Sequence, residues 1–279
     1  MSRILITGGS SYLGQHLVQL ASASCHTIHY SYHQNNPSLP VQGHWLDIRD
    51  ETAVRDLIFS LQPEIIIHLA GSNRGSEMAS VIRQGTGNIM WAAREVDARL
   101  IHLSTDSIFR GDAAPYAETA VPTPVNAYGR AKADAEAIVQ QHPNSAIIRT
   151  SLIYSLQEMD HGTRWMAAAL AKGEPVTLFS NQVRNPIWMD SLCQAILELT
   201  EHPYTGILNI AGKQALTRAD FALKLLDFWQ VHPRHSLTIA PSSGSWPLNC
   251  ELRLDRVTAV LQTPLPGVDQ VLQQFSNKN

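Results

Sequence analysis

Arg3-Ile4-Leu5-Ile6-Thr7-Gly8-Gly9-Ser10-Ser11-Tyr12-Leu13-Gly14 decides the fold. Ile4, Leu5 and Ile6 form an apolar run long enough for one buried strand, and Gly8 and Gly9 break it. From Tyr12 onward Leu13, Leu17, Val18 and Leu20 recur at helical spacing. A strand, a glycine turn and a helix within about 20 residues open a mononucleotide-binding unit. Glycine lets the backbone turn tightly and lets a ligand come close. The N–H groups at the helix start, at the positive end of the helix dipole, favour a pyrophosphate. Gly8, Ser10, Ser11, Tyr12 and Leu13 are therefore expected around such a group. The usual middle glycine of the turn is replaced by Ser11, which adds a Cβ and a hydroxyl at a crowded point. That hydroxyl is read either as a phosphate donor or as an obstacle.

The chain has 279 residues, 44% of them hydrophobic and 16% charged, so a sizeable core is within reach. The net charge of −3, without a basic block, speaks against a nucleic-acid or anionic-membrane surface. No apolar run approaches the roughly 20 residues of a membrane span. The first residues read as a strand, not as a signal peptide. Cys25, Cys193 and Cys250 lack CxxC or metal-ligand spacing, which fits reduced thiols of a cytoplasmic protein. The twelve histidines show no zinc pattern: His26, His29 and His33 lie in or after the second strand, and His232 and His235 flank Pro233. No metal is expected.

Cys25–Tyr32 reads as the second strand. NAD-binding units place an acid about 20 residues past the glycine turn to hold the ribose 2′-OH. Here none occurs before Asp47, so repulsion against a 2′-phosphate is absent and NADP is favoured, NAD remaining open. No arginine follows this strand, which leaves Ser31 and His33 as weak contacts. Gly43–Leu46 reads as the third strand. Asp47 then has two readings, adenine acceptor and N-cap of the helix beginning near Glu51, with Ile48 packing on the ring. Glu64–Leu69 reads as a strand buried on both faces, and the small Ala70 and Gly71 after Leu69 let a cofactor lie close. A long helix over 75–94 leads to the fifth strand, Leu100–Leu103.

That strand ends Ser104-Thr105-Asp106, and after a proline-rich loop Tyr128-Gly129-Arg130-Ala131-Lys132 opens a helix. Tyr128 and Lys132, four apart, share a helix face. A phenol with a pKa near about 10 is a poor acid or base at neutral pH. A neighbouring ammonium favours phenolate and brings it toward the working range. Thr105 is placed to hydrogen-bond a reacting carbonyl oxygen.

These blocks resemble the extended short-chain dehydrogenase/reductases, and most of all the dTDP-4-dehydrorhamnose reductase branch. Thr7-Gly8-Gly9, Tyr12-Leu13-Gly14, the run from Ser104 to Gly111, Tyr116-Ala117-Glu118, the run from Pro122 to Glu136, and Arg149–Tyr154 carry the resemblance, which covers residues 3–155. It implies an NAD(P)-dependent oxidoreductase moving a hydride to the keto group of a sugar nucleotide. Tyr128 is then the acid/base, Lys132 lowers its pKa and binds ribose, Thr105 orients the carbonyl, and Ser104 and Asp106 shape the substrate pocket. Ala70-Gly71-Ser72-Asn73-Arg74 lacks the aromatic continuation of rhamnose reductases, and Asn181–Asp190 looks closer to the epimerase/dehydratase branch. Ser107 after Asp106, where a dehydratase has Glu, argues against a dehydratase. Two other readings stay open: a non-catalytic NADP-binding subunit, similar to the regulatory beta subunit of methionine adenosyltransferase, and a sugar-nucleotide epimerase. The resemblance also leaves room for a homodimer.

The second half reads as Ser145–Arg149 strand, Gly162–Lys172 helix, Glu174–Phe179 and Arg184–Trp188 strands, Ser191–Thr200 helix capped by Asp190, Gly206–Ile210 strand, and Arg218–Trp229 helix capped by Thr217. The expected architecture is α/β: a doubly wound parallel sheet of Rossmann type in residues 1–155, with later strands returning to it, and a small C-terminal substrate lobe in 156–279. Arg164, Arg184 and Lys213 are the cations expected for a nucleotide-sugar diphosphate.

Overall fold

Ile4, Leu5 and Ile6 are each fully buried, which on a strand requires cover on both sheet faces. The computed structural model of the chain describes residues 1–71 and 75–276 and shows that cover. The first half runs β1 (Arg3–Thr7), α1 (Tyr12–Ser22), β2 (Thr27–Tyr32), β3 (Gln42–Trp45), α2 (Glu51–Leu61), β4 (Ile65–His68), α3 (Met78–Glu95), β5 (Arg99–Thr105), α4 (Ala127–Val139) and β6 (Ser145–Thr150). The second half runs β7 (Ile153–Tyr154), α5 (His161–Ala171), β8 (Val176–Phe179), β9 (Val183–Arg184), β10 (Ile187–Trp188), α6 (Met189–Glu201), β11 (Gly206–Asn209), β12 (Leu216–Thr217), α7 (Arg218–Phe228), β13 (Leu237–Ala240), α8 (Asp255–Val260) and α9 (Val268–Ser276).

Seven parallel strands form one sheet in the order β11-β6-β5-β4-β1-β2-β3. Ile4 and Ile6 pack with Leu17 and Val18 of α1 and with Leu192 and Ile196 of α6. Leu5, one residue out of phase, packs on the opposite face with Val54 and Ile58 of α2 and Ile89 and Met90 of α3. The sheet is therefore wound on both sides. Its strand order reverses between β1 and β4, and the crevice beyond the carboxyl ends of those strands is where such sheets bind ligands.

The second half supplies α6 and β11 to this sheet and builds a smaller lobe from short pairs. β13 runs parallel to β8, and Leu170 of α5, Val176, Leu178 and Leu226 of α7 fill the space beneath. The expected strand Arg184–Trp188 is two strands. β9 pairs antiparallel with β12, and β10 pairs parallel with β7. The break falls at Asn185-Pro186. Pro186 has no N–H for a ladder, and the Asn185 side chain ties the break down, its Nδ2 donating to Gly212 O (3.2 Å) and its Oδ1 accepting from Leu252 N (2.8 Å). Among the described residues no helix is long and apolar enough to cross a membrane.

Candidate active site

The glycine turn sits at the reversal of strand order. Gly8 has φ +74°, and a Cβ there would lie 2.8 Å from the Ala70 backbone. A Cβ on Gly14 would lie 2.2 Å from Gly8 O. The turn is thus pressed against the end of β4. Ser11 is accommodated by the turn, and its O–H remains free to donate. It is the N-cap of α1, with extended backbone (φ −73°), and its Oγ accepts from Gly14 N at 3.0 Å. The Tyr12 and Leu13 N–H groups stand at the helix start, without intrahelical acceptors. The Leu13 side chain is core, and the Tyr12 ring turns toward His161, its hydroxyl 3.4 Å from Glu158 O.

A cleft of about 560 Å³ opens above this turn. Gly8, Ser10 and Ser11 from the turn, Ser31 and His33 from the end of β2, Asp47, Ile48 and Arg49 after β3, and Leu69, Ala70 and Gly71 after β4 all border it. Most of the residues expected to contact a dinucleotide border this cleft, while 72–74 lie outside the described residues. Ile48 is only 5% exposed and turns its side chain against Gly85 of α3. Asp47 is not the N-cap of α2. Asp50 is, accepting from Ala53 N. Asp47 instead receives Arg49 Nε (3.0 Å) and Nη2 (2.6 Å), which holds its carboxyl down at about 2. Arg49 also pairs with Glu77 and was not foreseen. The signal for it was its place just after β3, since β3 lies next to β2 in the sheet.

Thr105, Tyr128 and Lys132 are not walls of that cleft, but they are grouped beside it at the carboxyl end of β5. Burial pushes the Tyr128 phenol up to about 12, the nearby Thr105 hydroxyl opposing the rise and Asp106 adding to it. This differs from the expected depression by Lys132. The Lys132 Nζ donates to Leu103 O (2.5 Å) and faces His102 Nε2 (3.3 Å). Burial lowers its pKa to about 8. Behind it lie two buried histidines that the sequence reading passed over. His68 joins Thr7 (2.7 Å) and Thr86 (3.1 Å), and its ring lies 5.2 Å from that of His102. Burial and then Lys132 push His68 down to about 3 and His102 well below the usual range, so both are neutral. Their signal was the in-register pairing of β4 with β5, which sets His68 against His102.

The residues expected to hold substrate separate. Ser104 is buried and donates to Glu136 Oε1 (2.5 Å), away from the cleft. Glu136 in turn accepts from Arg149 Nε (3.1 Å) and Nη2 (2.8 Å), a buried pair that ties α4 to β6 and so fixes the helix carrying Tyr128. Asp106 is buried beside Thr105, accepts from Ser151 Oγ (2.6 Å) and faces Arg184 Nε at 3.5 Å. Arg184 is buried and spent on this carboxylate and on three backbone carbonyls. Arg164 lies exposed near Glu158, and Lys213 borders a separate crevice with Pro264 and Pro266. The three expected cations do not converge. Among the described residues no three His, Cys, Asp or Glu side chains are grouped to hold a metal.

The profile of the RmlD substrate binding domain family matches residues 1–278. A dTDP-4-keto-6-deoxy-D-glucose reductase of Streptomyces niveus is 33% identical over 253 residues, covering 85% of this chain and 84% of that protein. The methionine adenosyltransferase 2 subunit beta of Xenopus laevis is 28% identical over 98% of this chain and 88% of its own. A solved structure, that of a hypothetical dTDP-4-dehydrorhamnose reductase from Sulfolobus tokodaii, matches with a TM-score of 0.84 at 28% identity. It covers 97% of this chain and 98% of that one.

Proposed function

The chain belongs to the RmlD substrate binding domain family, and on that premise we propose that it is an NADP-preferring oxidoreductase reducing the 4-keto group of a sugar nucleotide. The observation that carries this reading is the grouping of Thr105 at the end of β5 with Tyr128 and Lys132 of α4, whose Nζ donates to Leu103 O, beside a glycine cradle that a Cβ would fill. The residues present suit a dinucleotide. Gly8, Ser10 and Ser11 would hold the pyrophosphate, Ala70 and Gly71 would lie under the ribose, and Ser31, His33 and Arg49 would face the 2′ position. When bound, the nicotinamide supplies the hydride. Tyr128 keeps its proton at neutral pH, because burial holds the phenol protonated, and gives it to the oxygen formed from the substrate carbonyl. Thr105 orients that oxygen. Lys132, one helical turn along, stands ready to hold the ribose and to return a proton toward Tyr128.

Tyr128→Phe tests this. NADPH binding should persist, while reduction of a dTDP-4-keto-6-deoxy sugar falls by about 10²–10⁴-fold. Unchanged turnover in the variant removes the assignment.

A second reading has its own support, the similarity over 98% of the chain to a methionine adenosyltransferase regulatory subunit. Under it the same cleft holds NADP without turnover. Co-elution with a methionine adenosyltransferase catalytic subunit, and no NADPH oxidation across a nucleotide-sugar panel, would favour it.

A further inference from the structure

We propose that Arg218 grips the diphosphate of the nucleotide-sugar substrate, an inference that rests on the reductase reading above. Arg184, the arginine that the sequence nominates for this task, is buried with four of its five N–H donors engaged. Its Nη1 donates to Val183 O (2.7 Å) and Leu248 O (2.5 Å), its Nη2 to Pro247 O (3.0 Å), and its Nε faces Asp106. Its side chain is 4% exposed. It is a brace that holds Asp106, and through it the end of β5, in place.

Arg218 is placed by the same brace and left open. β12 pairs antiparallel with β9, setting Leu216 opposite Arg184 and Thr217 opposite Val183. The Arg218 N–H then donates to Gln182 O at 2.8 Å. This ladder fixes the first residue of α7 beside Arg184. The Arg218 side chain is exposed, and its guanidinium makes no hydrogen bond or ion pair among the described residues. It nevertheless lies in the field of Arg184, Asp106 and Asp160, and surrounding protein lowers its pKa. The ladder with β9 thus fixes its backbone while its guanidinium stays open to solvent.

The two carboxylates nearby are already engaged. Asp106 accepts from Ser151 and faces Arg184, and Asp160 caps α5 through Gly162 N (2.8 Å) and Thr163 N (3.1 Å). Asp106 follows Thr105 in the chain and faces Arg184, whose partner across the ladder, Leu216, is two residues before Arg218. In a nucleotide sugar the group next to the sugar ring is the diphosphate. A planar guanidinium with its donors unspent pairs with two phosphoryl oxygens at once. The 2′-phosphate of the cofactor is the other source of such an anion, but Arg218 does not border the nucleotide cleft.

The test is calorimetric titration of dTDP and UDP into protein saturated with NADPH, for the wild type, Arg218→Ala and Arg218→Lys. Because Arg218 is exposed and bonded only through its backbone, both variants should fold. Arg218→Ala should weaken diphosphate binding by about ten- to a hundredfold, with Arg218→Lys between it and the wild type. NADPH affinity should not change in either. Diphosphate binding in Arg218→Ala equal to wild type overturns the inference, as does wild-type protein that holds NADPH but neither diphosphate. A parallel loss of NADPH affinity also overturns it, because it would mark a cofactor contact. Wild-type protein that fails to bind NADPH overturns the reductase reading itself, and this inference with it.

Discussion

Lys132 sits in the protein core against two neutral histidines, and that placement sets its charge. Burial lowers its pKa from 10.5 to about 8, while the phenol of Tyr128 rises to about 12. That Tyr128 and Lys132 share one helix was legible in the four-residue spacing. The environment was not, because desolvation depends on His68 and His102, which come from β4 and β5. The shift has a consequence for stability. Between about 8 and 10.5 the unfolded chain binds more protons at this lysine than the folded one does. Stability from this group therefore rises with pH across that window, and below about 8 the folded state carries the whole penalty. Lys132→Met should accordingly raise the thermal midpoint at pH 7, with the gain shrinking as the pH approaches 10, while turnover is lost. Thermal unfolding of both proteins across that pH range checks this. A lower midpoint in the variant at pH 7 would show that the bonds of Lys132 to Leu103 and His102 outweigh its desolvation.

At the scale of the element, helix starts separate what the sequence reveals from what it conceals. Thr217 was readable as the cap of α7, since its Oγ1 reaches Asp220 N three residues on, and the structure shows that bond at 3.0 Å. The expected caps Asp47 and Asp190 cap no helix and have other partners. Asp47 is held by Arg49, and Asp190 lies inside the first turn of α6, 2.9 Å from His16 of α1. Ser11 is the opposite case. Compared with a glycine pattern it looked like a defect, but its extended backbone needs no glycine and its hydroxyl caps α1. Ser11→Ala should then destabilise the fold by about 1 kcal/mol, and Ser11→Gly by only a few tenths. Urea unfolding of the two variants measures the difference. Equal losses would assign the effect to the turn backbone instead of the cap.

At the scale of the whole molecule, the sheet does not respect the order of the chain. The apolar runs of β1, β4 and β5 announced a doubly wound sheet, because each is buried on both faces. The small lobe was harder to read, since its strands of two to four residues exist only through distant pairing, such as β13 on β8 and β12 on β9. The same distance hid Arg218, whose meaning comes from its neighbour across the ladder. The division near residue 155 has a physical test. β11 supplies the seventh strand by pairing with β6, and Leu192, Ile196 and Leu199 of α6 lie in the same core as Ile4, Ile6, Leu17 and Val18. A fragment of residues 1–155 would open that face to water. Full exposure costs about 1.5–3 kcal/mol for each such side chain. Losing cover over even part of four of them approaches the about 5–15 kcal/mol that holds a domain folded. The fragment should therefore keep far-UV circular dichroism, lose its near-UV signal and bind ANS, the signs of lost tertiary packing. A fragment that unfolds cooperatively and binds NADPH as the full chain does would mean that the first half closes its own core without α6 and β11.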